Sequence, residues 1–254
     1  RFNYGSAPEG TAIYVQGSNA LITRSNFLSM GNSSGVANDT SGGSIYVAGN
    51  DTKIIKNYFT HTNAAKGGAI YVSGENTEIA DSKFIELNGI YGAAIYVEGN
   101  DTHVHNCTFN RNIATNDGAS IYLGGLNSHV ANSTFSYVNA TRGAAVFISG
   151  NSSLVEGSHF DHCFAFSNGS EFSAGGAIFV HGDDATISKS EFTFSMARDS
   201  GGSICVEGNN ANIDGNKFEN CSTTGAYGGG AIFVIGLNST ISNSNFTRNM
   251  VNVS

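Results

Sequence analysis

The chain has 254 residues, 13% of them charged, with a net charge of −8 and neither Trp nor more than one Pro. The charge is spread without a basic stripe, which argues against nucleic acid as a partner, and no apolar run approaches membrane-spanning length. One period runs throughout with no linker or composition shift, so residues 1–254 read as a single domain. The start at Arg1, without Met or a signal sequence, reads as a processed or excised form.

In chain order, the same phrase occurs nine times. Its lead position is Ile13, Ile45, Ile70, Ile95, Ile121, Val146, Ile178, Ile204 and Ile232. Four residues on stands an invariant glycine: Gly17, Gly49, Gly74, Gly99, Gly125, Gly150, Gly182, Gly208 and Gly236. Nine residues after the lead comes an aliphatic (Ile22, Ile54, Ile79, Val104, Val130, Val155, Ile187, Ile213, Ile241). Five further on comes Phe27, Phe59, Phe84, Phe109, Phe135, Phe160, Phe192, Phe218 or Phe246. Length varies only between the Phe and the next lead, which are 18, 11, 11, 12, 11, 18, 12 and 14 residues apart. A rigid body with one variable loop per repeat is the signature of a solenoid.

The segments are short, rich in β-branched and aromatic residues, and punctuated by Gly and Asn, which favours strand over helix. Each repeat reads as strand, turn, strand, bend, third strand and loop, closing one coil of about 25 residues in an all-β, parallel β-helix of nine coils. The invariant Gly is expected to need φ > 0. Alternation turns the lead residue and its +2 neighbour inward, together with the +9 aliphatic and the Phe. A small residue at +12 separates them: Ser25, Ser82, Cys107, Ser133, Ser158, Ser190 and Ser244, with the larger Asn57 and Asn216. Coils stacked at ~4.8 Å would make a rod of roughly 40 Å. The four Cys form no obvious disulfide set. Cys163 and Cys221 share a column but lie two coils apart, about 9–10 Å, beyond bridging reach; Cys107 and Cys205 sit in other columns. Buried free thiols are expected.

The pairing of Gly-Gly-Ala-Ile with a later Phe-x-x-Asn is carried by Gly67–Ile70, Gly175–Ile178 and Gly229–Ile232, and by Phe109–Asn112 and Phe246–Asn249. It resembles the surface-protein repeats of chlamydial polymorphic membrane proteins and of the adhesin-like proteins of methanogenic archaea. The resemblance implies a single-stranded, right-handed parallel β-helix in an extracellular, cell-surface or envelope setting, with adhesive or structural roles. It carries over no catalytic residue and no cofactor.

Several surface features are candidates for function. One residue after the lead stands an aromatic column: Tyr14, Tyr46, Tyr71, Tyr96, Tyr122, Phe147, Phe179, then Cys205 and Phe233. If the lead faces inward, this ladder faces outward, and so long an exposed patch marks an interface. The alternatives are that the stacked aromatics stabilise the sheet, that the variable loop folds over them, or that they form a platform for sugar rings. Neither tail has the pattern of a capping helix, so open coil edges are expected to invite end-to-end pairing. His103, His105 and His129 cluster on one outward face and are candidate metal ligands, with no carboxylate expected close by in their columns. Asp51, Asp101, Asp183 and Asp184 lie on one turn corner in non-adjacent coils, while Asp161 with His159 and His162 borders the enlarged loop at 161–174; the other enlarged loop is 28–41. Thirteen Asn-x-Ser/Thr sequons occur, at Asn32, Asn38, Asn50, Asn100, Asn106, Asn132, Asn139, Asn151, Asn168, Asn220, Asn238, Asn245 and Asn252.

The sequence therefore points to a non-enzymatic surface protein. Its expected partners are copies of itself, side by side or end to end, or a cell-surface protein or glycan. A sheath, filament or S-layer subunit is one alternative, and a polysaccharide lyase or hydrolase of the β-helix type is another.

Overall fold

The structure, a computed structural model, describes residues 1–31, 40–167, 169, 171–225 and 227–252. Among these residues there is no helix, and every pairing between strands is parallel, from one coil to the next. The lead strands (Ile13–Val15 through Ile232–Val234) form one nine-stranded sheet. The +9 strands (Leu21–Thr23 through Thr240–Ser242) form a second sheet of nine. The Phe strands form a third, which Phe2–Gly5 extends by one strand at the amino-terminal end.

Pairing is in register, lead on lead and Phe on Phe. Ile70 is flanked by Ile45 and Ile95, and Phe84 by Phe59 and Phe109. Identical positions therefore stack at the inter-strand distance. Ten Phe rings, Phe2 through Phe246, lie nearly parallel with centroids 4.7–5.0 Å apart. From Phe27 to Phe218 they are fully buried, and so are the lead and +9 aliphatics from Ile45 to Ile213. Burial of each such side chain contributes roughly 1.5–3 kcal/mol, and each rung is usable only when its neighbours are in place.

The +12 column is a buried polar ladder. The backbone N–H of Ser25 donates to Asn57 Oδ1, that of Asn57 to Ser82 Oγ, and those of Cys107, Ser133 and Ser158 to the hydroxyl one coil on, at 2.9–3.2 Å. Small polar side chains there satisfy backbone donors where the chain bends too sharply for ladder pairing. The four cysteines are buried and unpaired, as the column spacing requires. Burial pushes the Cys107 and Cys205 thiols up to about 12 and raises Cys163 and Cys221 above the usual thiol range.

Three expectations are corrected. Six coils carry a separate fourth short strand after the Phe strand, as in Asn63–Lys66, Asn88–Tyr91 and Ile113–Asp117, and in two others the Phe strand itself runs on, as Thr134–Ala140 and His159–Ala165. The strand His159–Ala165 runs into the stretch expected to be loop from 161, so the excursion begins at Phe166. Most of the 28–41 loop lies outside the described residues.

The third correction concerns the invariant Gly, which does not take positive φ. A Cβ at Gly49 through Gly236 would instead lie 1.8–2.3 Å from the carbonyl oxygen of the same Gly one coil earlier. Close approach between coils, not backbone conformation, excludes side chains there. The left-handed bends fall elsewhere: at the glycine three before the lead, such as Gly118 (φ 60°), and at Asp51, Asn76 and Asp101 in the turns.

A candidate ligand groove beside the aromatic ladder

The outward aromatic ladder exists, with Tyr14 through Phe179 stacked at 4.6–5.4 Å. It is not open to solvent as expected. Tyr14 is half-exposed and Tyr46, Tyr122 and Phe233 are partly covered, whereas Tyr71, Tyr96, Phe147 and Phe179 are buried. Each ring's faces are occupied by the rings above and below, so none of the central rings offers a free face to a sugar.

The cover comes from the residue four before each lead. This column runs Glu9, Ser41, Lys66, Tyr91, Asp117, Arg142, Ala174, Ser200 and Gly228, bridged from coil to coil. Lys66 Nζ sits 4.9 Å from the centre of the Tyr96 ring, and the Arg142 guanidinium lies 5.1 and 5.3 Å over Phe147 and Phe179. Such cation–π contacts contribute about 0.5–2 kcal/mol. Burial is the main force raising the Tyr71 and Tyr96 hydroxyls far above the ordinary phenol range.

In its middle, this column becomes the wall of a groove. A hollow of about 320 Å³ is lined by Tyr91, Asn116, Asp117, Thr141, Arg142, Glu171 and Phe172. A second, of about 590 Å³, shares Thr141 and Glu171 with it and continues over Ile113, Thr115 and Asn139 to Phe166, Ser167 and Gly169. One wall is formed by residues of the stretches that follow the Phe positions, from Tyr91 to Arg142; the other is formed by Phe166, Ser167, Gly169, Glu171 and Phe172, which fall within the 18-residue spacing from Phe160 to Ile178.

The polar groups of the groove are tied to one another. Arg142 Nε and Nη2 donate to the two oxygens of Asp117, both at 2.8 Å. Asn116 Nδ2 donates to Tyr91 Oη at 2.9 Å, and Thr141 Oγ1 to the Thr115 carbonyl at 2.9 Å. Burial raises the Asp117 carboxyl above its usual range, with Arg142 opposing; the Asp117 carboxylate holds Arg142 charged against its own desolvation.

The metal candidates do not assemble. His103 and His129 stack edge to face at 5.5 Å, but His105 Nε2 turns to Glu78 Oε1 and His129 Nε2 to Glu156 Oε1, each at 3.2 Å. Contrary to expectation, carboxylates do occupy these columns: Glu78 lies opposite His103, and Glu156 two coils beyond His105. Desolvation lowers the His129 pKa. Among the described residues no group of three His, Cys, Asp or Glu is disposed to hold a metal ion.

The acidic groups on the turn corner are structural. Asn76 donates to Asp51, Asn127 to Asp101, Asn209 to Asp183 and Asn210 to Asp184, each from the next coil. His159 pairs with Glu191 at 3.5 Å, while Asp161 holds His162 at 2.9 Å and accepts from Thr193 Oγ1 at 2.8 Å. His162 is itself sandwiched between Tyr137 and Phe194 at 4.9 and 5.0 Å.

Among the sequons, Asn50, Asn100 and Asn151 share one turn column, and each Oδ1 accepts a backbone N–H of the next coil at 2.9 Å. Asn139 lines the groove. Asn106, Asn132, Asn220 and Asn238 occupy left-handed bends, and Asn245 and Asn252 are exposed in the last coil. Asn32, Asn38 and Asn168 lie outside the described residues.

The family described as right handed beta helix region matches residues 11–171 and 144–252. No curated protein and no solved structure matches the chain.

Proposed function

This chain belongs to the right-handed β-helix family, and from that premise we propose that it is a non-enzymatic rod of the cell surface that acts in adhesion. The fold does not supply the function, which must come from its surfaces. The observation that carries the reading is the groove between Asp117–Arg142 and Phe172. It is a side-facing recess on a stiff stack, and its polar groups are already held by partners within the fold, as befits a preorganised binding surface. The likeness of the Gly-Gly-Ala-Ile and Phe-x-x-Asn repeats to adhesin-like surface proteins supports the same reading, as does the sequon-rich turn chemistry.

An antibody against the folded chain tests this. It should label intact cells of the source, and its monovalent fragments should reduce their attachment. Labelling that appears only after permeabilisation would sink the proposal. Electron microscopy of the purified chain separates a dispersed adhesive rod from a lattice-forming envelope subunit, for which ordered polymers would be seen.

A second reading, glycan cleavage, is favoured by one observation. Asp117 and Glu171 line the same hollow, and burial raises the Asp117 carboxyl, a direction suited to a general acid. Against it stands the Arg142 fork, which occupies both Asp117 oxygens.

A further inference from the structure

We infer that mild acid tightens this rod: three clamps, each spanning three consecutive coils, gain strength when an imidazole in them takes a proton. The inference stands apart from the adhesive reading and concerns the stack itself. Of the chain's seven histidines, all but His103 lie within 3.5 Å of a carboxylate oxygen. Three of these contacts share one arrangement, in which a central Glu divides its two oxygens between the coils on either side. Glu86 Oε2 lies 2.9 Å from His61 Nε2, and its Oε1 3.4 Å from Arg111 Nη1. Glu78 Oε1 lies 3.2 Å from His105 Nε2, and its Oε2 2.8 Å from Lys53 Nζ. Glu191 Oε2 lies 3.5 Å from His159 Nδ1, and its Oε1 3.4 Å from Lys217 Nζ.

In each clamp the Lys or Arg on one side is a permanent cation, while an imidazole ordinarily charges only as pH falls through about 6.5. A contact from an imidazolium to a carboxylate is charge-assisted, roughly twice as strong as its neutral form. The permanent cation sits two coils from the imidazole, ~9–10 Å along the axis. Its repulsion of the new charge is therefore weaker than the attraction of the carboxylate between them. Because a coil is held by its neighbours, ties between coils act on the term that stabilises the whole stack.

The neighbours of each imidazole differ. His61 faces Glu86 and, one coil further, Arg111, and its Nδ1 lies 2.8 Å from Thr60 Oγ1, which leaves Nε2 for the carboxylate. His105 faces Glu78, with His103 and His129 as like neighbours and Glu156 lying 3.2 Å from His129. Desolvation holds His129 below the usual imidazole range, which limits its repulsion of a charged His105. His159 faces Glu191 and shares the outward side of its strand with Asp161; beyond Glu191 stand Lys217 and Glu219. The added strength exists only in the folded, protonated state. It is full below about pH 5.5 and fades as pH rises through the imidazole range. At the acid end it is lost as the carboxyls take protons, near pH ~4.3 for an ordinary Glu and lower for Glu78.

The test is urea unfolding of the whole chain at low salt, followed by far-ultraviolet circular dichroism at pH 7.5 and 5.5. The groups are partly exposed, so each clamp adds little alone; the three together should raise the midpoint by roughly 0.3–0.5 M at the lower pH. Combining His61→Gln, His105→Gln and His159→Gln keeps a donor at each site without a titrating charge. That variant should keep a midpoint close to wild type at pH 7.5 and lose most of the rise at pH 5.5. Combining His61→Lys, His105→Lys and His159→Lys supplies a permanent charge and should hold the raised midpoint at both pH values. Molar salt should remove the rise from wild type by screening. The inference is overturned if the wild-type midpoint is unchanged or lower at pH 5.5. It is equally overturned if the rise survives the three Gln substitutions or molar salt, since the gain would then come from elsewhere in the chain.

Discussion

Replacing Gly125 by Ala places a Cβ 2.0 Å from the Gly99 carbonyl oxygen and 2.5 Å from its carbon, where ordinary contact begins at 3.4 Å. The coils would have to part locally by about 1.4 Å, against a normal spacing of ~4.8 Å. That displacement breaks the bond from the Gly124 N–H to the Val97 carbonyl (2.7 Å) and the one from the Leu126 N–H to Asn100 Oδ1 (2.9 Å), and strains that from the His129 N–H to Thr102 (2.8 Å). At about 0.5–1.5 kcal/mol per bond, and more where a buried group is left unpaired, the loss is about 3 kcal/mol. For a chain of this size that lowers the melting temperature by about 6–12 °C, readable by far-ultraviolet circular dichroism. Gly17 holds the same place in the phrase but has nothing within 4 Å of its would-be Cβ, and its φ is not positive. Gly17→Ala should therefore change the melting temperature by no more than about 1–2 °C, the effect of a substitution within ±0.5 kcal/mol. Equal losses at Gly17 and Gly125 would refute the close-approach account and restore a conformational cause.

Other perturbations follow from the same contacts. Phe135→Ala should cost about 3–5 kcal/mol by chemical denaturation, and Phe246→Ala, whose ring is half-exposed, distinctly less. Arg142→Met should cost about 3 kcal/mol, because it strands the buried Asp117 carboxylate. The bond from Lys53, aided by His105 and opposed by burial, holds the Glu78 carboxyl below its usual range. Its stabilising share is thus full above the unfolded value of about 4.3 and lost as pH falls through the lower folded value. Wild type should exceed Glu78→Gln in stability at pH 6 and lose that margin toward pH 3, as urea titrations at several pH values would record. All four cysteines should resist iodoacetamide at pH 8 in the folded chain and react once it is unfolded, with mass spectrometry counting the adducts.

Much of the fold is written in the sequence, because a solenoid contacts itself at a fixed period. Ile70, Ile79 and Phe84 name their neighbours by arithmetic. The reason for Gly125 was not written there, since a residue that must lack a Cβ looks alike whether φ or a neighbouring coil demands it. The left-handed bends carried little signal, because residues as unlike as Asp81, Tyr137 and Phe194 all adopt them. The groove is not legible along the chain because Tyr91, Asp117 and Arg142 align only when positions are counted back from the lead. Counting forward from the Phe, the variable loop destroys their register. The same counting would have exposed the cover over Tyr96 and Phe147. The opposition of Glu78 to His103, by contrast, was available from register alone.

Attachment of the source cells in the presence of the purified chain tests the functional account most directly. An adhesive rod predicts that the soluble chain competes with the cells and reduces their attachment, and that Phe172→Ala, altered in the groove, competes less well. Attachment unchanged by saturating chain would contradict it.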